Sequence, residues 1–151
     1  MKKQFIDIPK INEKETKKAL EKSLFKYRDY LITLPIYLMP RITPSYSLTP
    51  PSETNSFHST TEDAAIERLE FMSTRDSFMT VVQDAVNTLK VQERQIIIQK
   101  YFEQDLGYDV EIWSSLGIGK TKYYKLKWEA MLRLAFALKL EVYQKRGVKA
   151  E

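Results

Sequence analysis

The sequence predicts an all-α protein: a helical bundle with a C-terminal helix-turn-helix, an N-terminal helix and a long proline-rich loop. Three observations lead there. Apolar residues recur at helical spacing through much of the 151-residue chain. Pro35, Pro40, Pro44, Pro50 and Pro51 are gathered in one segment and break regular structure there. Toward the C-terminus an apolar stretch, a glycine turn and a basic periodic stretch follow one another, as in a helix-turn-helix. The expected organisation is an N-terminal helix in residues 1–34, a proline-rich connection in residues 35–59 and a helix-turn-helix domain in residues 60–151.

After the break at Pro9, the pattern from Ile11 to about Leu34 reads as a helix. Asn12 followed by Glu15 matches a capping box, in which the two side chains satisfy opposite orphan donors of the first turn. Ala19, Leu20, Ser23, Leu24, Tyr27, Tyr30 and Leu31 form an apolar, aromatic stripe, with Lys14, Lys17, Lys18, Glu21 and Lys22 mostly off it. One helix cannot bury such a stripe alone. It packs on the rest of the chain or on a second copy; in the latter case Leu20–Tyr30 would join a homodimer reading half-sites about 34 Å apart or a multiple of that. Ile36, Tyr37, Leu38, Met39, Ile42, Tyr46, Leu48 and Phe57 make residues 35–59 too apolar for a solvated linker. Docking of that segment against the helices is expected, since loops this long are commonly functional or disordered.

Ser59, Thr60 and Thr61 before Glu62 and Asp63 suit a helix N-terminus, where hydroxyls cap and carboxylates face the positive dipole end. The helix should run from about Thr61 toward Leu89, with Ala65, Ile66, Leu69 and Met72 lining its first half. Phe78, Val81, Val82, Ala85, Val86 and Leu89 should line the second, and Arg75-Asp76-Ser77 offers a restart after a break near Ser73-Thr74. Gln92 to Phe102 follows, with Ile96, Ile97, Tyr101 and Phe102 inward. Asp109 is expected to cap a short helix carrying Val110, Ile112, Trp113 and Leu116. Gly117 stops that helix, because glycine tolerates the left-handed conformation at a helix C-terminus. Beyond the turn, Tyr123, Leu126 or Lys127, Ala130, Met131 and Leu134 share one face. Leu138, Leu140, Val142 and Tyr143 continue the apolar pattern, and Gln144 to Glu151 reads as a polar, frayed tail.

Composition narrows the function classes. Hydrophobic residues are 43% and charged residues 29%, as in a soluble globular protein. The absence of cysteine excludes disulfides and thiolate metal sites. No apolar run approaches a membrane span, and the first nine residues lack the apolar core of a signal peptide, so a cytoplasmic protein without membrane contact is expected. The net charge of +4 is uneven: residues 1–40 hold 9 basic and 5 acidic side chains, 41–87 hold 3 and 7, and 88–151 hold 12 and 8. The last excess gathers on the helix after the glycine turn, which matters more to a polyanion than the total does.

In a helix-turn-helix the first turns of the second helix enter the major groove of DNA. Lysine-rich helices are usually only solvated faces. Here the glycine turn, the preceding helix and the basic first turns coincide. The residues expected at duplex DNA are Lys120, Thr121, Lys122, Tyr124 and Lys125, with Lys127 and Trp128 toward phosphates. Core packing is the competing role for Trp128. Trp113 stands where many such units carry a small residue, so its indole must splay the two helices or point outward.

Other chemistries fare poorly. Gly117-Ile118-Gly119-Lys120-Thr121 looks like the end of a phosphate-binding loop, but the full pattern needs glycine at Ser114 and a preceding strand. Gly119 is better placed as a helix N-cap. His58, the single histidine, has no partners at metal-ligand spacing. Glu62 and Asp63 are neighbours on a helix and point apart. No nucleophile–base arrangement is visible. Neither an enzyme nor a cofactor is expected.

Two resemblances add to this reading. From Thr88 to Leu134 the chain resembles the fourth region of primary-type bacterial sigma factors, through Glu93-Arg94-Gln95, Tyr101, Leu116-Gly117-Ile118 and Ala130-Met131-Leu132. More specifically, it resembles the ArpU family of phage-encoded transcriptional regulators. That match rests on Thr43-Pro44-Ser45-Tyr46-Ser47-Leu48-Thr49-Pro50-Pro51, on Phe57-His58-Ser59-Thr60-Thr61-Glu62-Asp63-Ala64-Ala65, and on Leu116-Gly117-Ile118-Gly119-Lys120-Thr121-Lys122-Tyr123-Tyr124-Lys125-Leu126-Lys127. The resemblance implies a DNA-binding regulator from phages of low-GC Gram-positive bacteria, acting on late genes for lysis or structural proteins. Two alternatives stand beside it: a sigma-like adaptor contacting host RNA polymerase through the helices from Thr61 to Phe102, and a DNA-packaging protein of the small-terminase kind.

Overall fold

A computed structural model of the chain describes residues 9–49, 62–103, 105 and 107–145. The described residues form five α-helices: α1 (Glu13–Ile32), α2 (Glu62–Asn87), α3 (Val91–Ile97), α4 (Asp109–Leu116) and α5 (Lys120–Ala137). A 3-10 turn (Ile36–Leu38) and two antiparallel two-residue strands, β1 (Arg41–Ile42) and β2 (Leu48–Thr49), lie between α1 and α2. The fold is mainly α, as the helical spacing predicts. The expected cap at Ser59, Thr60 and Thr61, together with Phe57, His58, Pro50 and Pro51, lies outside the described residues.

α1 starts where the sequence places its cap. Asn12 Oδ1 accepts from the Glu15 backbone N–H at 3.1 Å. Its stripe is spent inside the molecule. Leu20, Leu24 and Tyr27 are fully buried in one cluster with Val82 and Val86 of α2, Ile97 of α3, and Ala130, Met131 and Leu134 of α5. Within one chain, the Leu20, Leu24 and Tyr27 part of that stripe is covered by α2 and α5. Burial pushes the Tyr27 phenol up to about 12, against the pull of the Gln83 amide, which donates to its oxygen at 2.9 Å.

The break near Ser73-Thr74 does not occur, and α2 is continuous. Arg75 is the reason it reads oddly in sequence. It is buried, and its Nη1 donates to the carbonyl and hydroxyl oxygens of Thr33 at 3.4 Å, where α1 ends. A cation at that site meets the negative end of the α1 dipole. The first half of α2 differs from expectation. Ile66 and Leu69 are 54% and 63% exposed, and Val81 is exposed as well. With 26 residues, α2 runs about 39 Å, and among the side chains described from Ala65 onward the first buried one is Arg75.

Residues 35–49 do dock on the helices, through polar bonds and through Leu48 and Tyr46 at the core, rather than along their whole apolar length. Leu48 is buried, and the Asn87 amide brackets its peptide: Leu48 N–H donates to Oδ1 at 2.9 Å and Nδ2 donates to the Leu48 carbonyl at 3.0 Å. Gln99 Nε2 donates to the Tyr46 hydroxyl at 3.0 Å. Ile36 and Ile42 face solvent.

α3 runs without interruption into a π-helical turn (Ile98–Phe102), so the expected single helix to Phe102 changes winding near its end. Ile96, Ile97, Tyr101 and Phe102 are all buried, as expected. The apolar pattern beyond α5 is not helical. The chain reverses at Lys139, with φ of 57°, and returns to the start of α1. There Asn12 N–H donates to the Val142 carbonyl at 2.7 Å, Gln144 N–H donates to the Lys10 carbonyl at 2.9 Å, and the Thr16 hydroxyl accepts from Val142 N–H at 3.0 Å. The tail is thus tied down at Gln144; residues 146–151 of the stretch expected to fray lie outside the described residues.

Candidate nucleic-acid interface

α4, a three-residue turn and α5 form the local unit. Gly117 ends α4 in the left-handed region at φ 67°, ψ 30°. Its N–H donates to Ser114 O and the Ile118 N–H donates to Trp113 O, both at 3.1 Å, which is the Schellman pattern of helix termination. Ile118 then packs with Leu116, Trp113 and Leu126 around a small cluster of Ile96, Ile112 and Tyr123. A Cβ at Gly117 would meet no atom within 4 Å, so only backbone strain opposes a side chain there. Gly117→Ala should cost about 1–2 kcal/mol by thermal or urea unfolding, and Gly117→Asn less, because asparagine tolerates this conformation. Gly119 is the N-cap of α5 with no side-chain bond, in the place expected for it.

Asp109 does not cap α4. Tyr108 occupies the N-cap, and Asp109 starts the helix with its carboxylate turned toward α5. Asp109 Oδ1 accepts from the hydroxyl of buried Tyr123 and lies 3.2 Å from Lys127 Nζ and 3.5 Å from Lys100 Nζ. Three elements therefore meet on one carboxylate. Burial works to raise its pKa, but the Tyr123 hydrogen bond and the two ammonium groups outweigh that and hold it below the usual aspartate value. The Tyr123 phenol is pushed far up by burial and by that same carboxylate. Asp109→Ala should destabilise the fold by about 1–3 kcal/mol, because it leaves the buried Tyr123 hydroxyl unpaired. A depressed folded-state pKa means the stabilisation is complete above the unfolded value, near 3.9, and disappears as pH falls through the lower folded value. The difference in unfolding free energy between wild type and variant should therefore shrink in acid, below about pH 4.

The residues expected at DNA separate into two groups. Lys120, Thr121, Lys122, Tyr124 and Lys125 are exposed on the first two turns of α5. Among the described residues no carboxylate pairs with Lys120, Lys122 or Lys125. Tyr124 is 43% exposed, with its ring edge-on to Trp113 and to Tyr123. Lys127 and Trp128 are placed otherwise. Lys127 is largely buried against Asp109 and sits 5.9 Å from the centroids of the Tyr123 and Tyr124 rings. Trp128 is half-buried against the main core. Trp113 does not point clear of the helices; it is half-buried against the Ile96, Ile112 and Tyr123 cluster, with its ring 5.5 Å from that of Tyr123.

The charge at the start of α5 is unusual within this molecule. α1, α3 and α4 each place carboxylates in their first turn: Glu13 and Glu15, Glu93, and Asp109 and Glu111. α5 has none there and carries Lys120 and Lys122 instead. Cations at the positive end of a helix dipole cost about 0.3–1 kcal/mol each. The same end offers unpaired backbone N–H groups to an anion.

Lys17 of α1 was not among the residues expected at this surface. Its ammonium lies 5.0 Å from the centroid of the Trp128 ring. It lines a cleft with Glu21, Tyr124, Lys127, Trp128 and Met131. No sequence spacing connects residue 17 to residue 128; only the packing of α1 on α5 does so.

Two curated proteins are similar to the chain over most of their lengths. One is an uncharacterized phage-related protein of Listeria innocua, 29% identical over 136 residues, which cover 90% of this chain and 95% of that one. The other is protein Gp66 of Listeria phage A118, 29% identical over 120 residues, covering 77% of this chain and 81% of that one. No family profile matches the chain, and no solved structure matches it. The chain is thus similar to phage and phage-related proteins over most of its length. No described helix is long and apolar enough to cross a membrane.

Proposed function

We propose that the chain is a phage-encoded, sequence-specific regulator of transcription that binds duplex DNA through the N-terminal half of α5. The observation that carries this reading is the uncompensated positive charge of Lys120, Lys122 and Lys125 on an exposed helix start, directly after a capped turn. Such a helix start is locally unfavourable for folding and favourable for a polyanion. Thr121 and Tyr124 on the same exposed turns supply hydroxyls for base edges or phosphates. The phage relatives and the resemblance to ArpU regulators support a role in the host cytoplasm at late genes for lysis or structural proteins. No cofactor or catalytic group enters this reading.

Exposed Ile66, Leu69 and Phe71 on α2 favour a second reading, in which the chain is a sigma-like adaptor that also docks on host RNA polymerase. A gel shift on DNA from the encoding phage genome, with and without polymerase, separates the two. Binding by the protein alone supports the regulator, and a shift only in the presence of polymerase supports the adaptor. No shift under either condition removes both. Footprinting on that same genome then locates the operator.

A further inference from the structure

We propose that Lys17 of α1 belongs to the DNA-contacting surface, holding a backbone phosphate beside the third turn of α5, and that Trp128 positions it. This rests on the DNA-binding reading above and extends it to a second helix. Phosphate contacts fix the register of a recognition helix on the duplex and carry no sequence information themselves. Along α5, Trp128 lies about 12 Å beyond Lys120. A cation there would grip the backbone away from the residues at the helix start. Lys127 has the right position in sequence but not the freedom, since Asp109 lies 3.2 Å from its ammonium. Lys17 has both. It is exposed, and no described carboxylate pairs with it. Glu21, one helical turn on, accepts from the buried Tyr101 hydroxyl at 2.9 Å.

The Trp128 ring is what distinguishes Lys17 from an ordinary surface lysine. A carboxylate would orient the ammonium and cancel its charge. An aromatic face orients it through the ring quadrupole and leaves the charge whole. The indole also lines the cleft that Lys17 shares with Tyr124, so the α1 cation and the exposed α5 hydroxyl border one surface. In this arrangement Lys127 serves the fold and Lys17 serves the ligand.

The test is a salt titration of full-length protein on a mixed-sequence duplex of about three helical turns, following affinity by anisotropy. Lys17→Gln keeps most of the stem over Trp128 and removes the charge. It should flatten the slope of log affinity against log salt by about 0.9 and weaken binding about eightfold at 0.1 M salt. Lys17→Arg should restore both. Neither variant should change the melting temperature appreciably. Lys127→Gln should lower the melting temperature and leave the slope as in wild type. A wild-type slope for Lys17→Gln, alongside a flattened one for Lys120→Ala with Lys125→Ala, overturns the Lys17 assignment and spares the DNA-binding reading. A flattened slope for Lys127→Gln alone overturns it too. Wild-type protein with no salt-dependent duplex binding would overturn both.

Discussion

Lys120→Ala combined with Lys125→Ala should weaken duplex binding by about 60-fold at 0.1 M salt and flatten the salt slope by about 1.8, the loss of two released counterions. The same variant should fold at least as well as wild type. Both side chains are exposed and pair with no described carboxylate, so neither removal opens a cavity or strands a partner. Lys120 is also the first residue of α5, where its charge opposes the helix dipole. Removing it should stabilise the helix slightly. Binding and stability therefore move in opposite directions, which a lysine serving only as a solvated surface would not produce. Circular dichroism melts alongside the salt titration measure both. Unchanged affinity in the folded double variant would defeat the proposed function.

The local features of the chain were legible because local rules write them. Asn12 caps the next turn through a side chain three residues from its partner, and Gly117 is the residue a left-handed helix end requires. The inward faces of α3 and α5 follow directly from apolar spacing. What the sequence hides is pairing between distant elements. Arg75 reads as the start of a new helix because its partner, Thr33, is 42 residues away. Thr16 reads as an ordinary polar position, yet it is buried against the backbone of Val142. Glu93 belongs by resemblance to a helix opening; in the fold it is buried with Arg133 Nε 3.3 Å from its carboxylate. The candidate site divides the same way. The exposed first turns of α5 could be read from spacing, whereas the capture of Lys127 by Asp109 and the approach of Lys17 to Trp128 are products of tertiary packing.

Leu24→Ala should cost about 2–5 kcal/mol of unfolding free energy and leave a single cooperative transition. Leu24 has no exposed surface and lies in the cluster that contains Met131 and Leu134, the back of the helix whose front carries Lys120 to Lys125. Removing its methyl groups leaves a void at the junction of α1 with α2 and α5, where close-packed neighbours relax only partly. The division of the chain at residue 34 makes a different forecast. An α1 that folds apart from the rest would melt on its own, leaving α2 to α5 intact and the transition split in two. The packing of Leu20, Leu24 and Tyr27 argues for one unit, so a chain lacking residues 1–34 should also fail to fold, because it exposes the inner faces of both α2 and α5. Urea unfolding followed by tryptophan fluorescence, which reports Trp113 and Trp128 on α4 and α5, and by helical ellipticity decides between them: coincident curves for the Leu24 variant place α1 in the core, and separated curves place it outside.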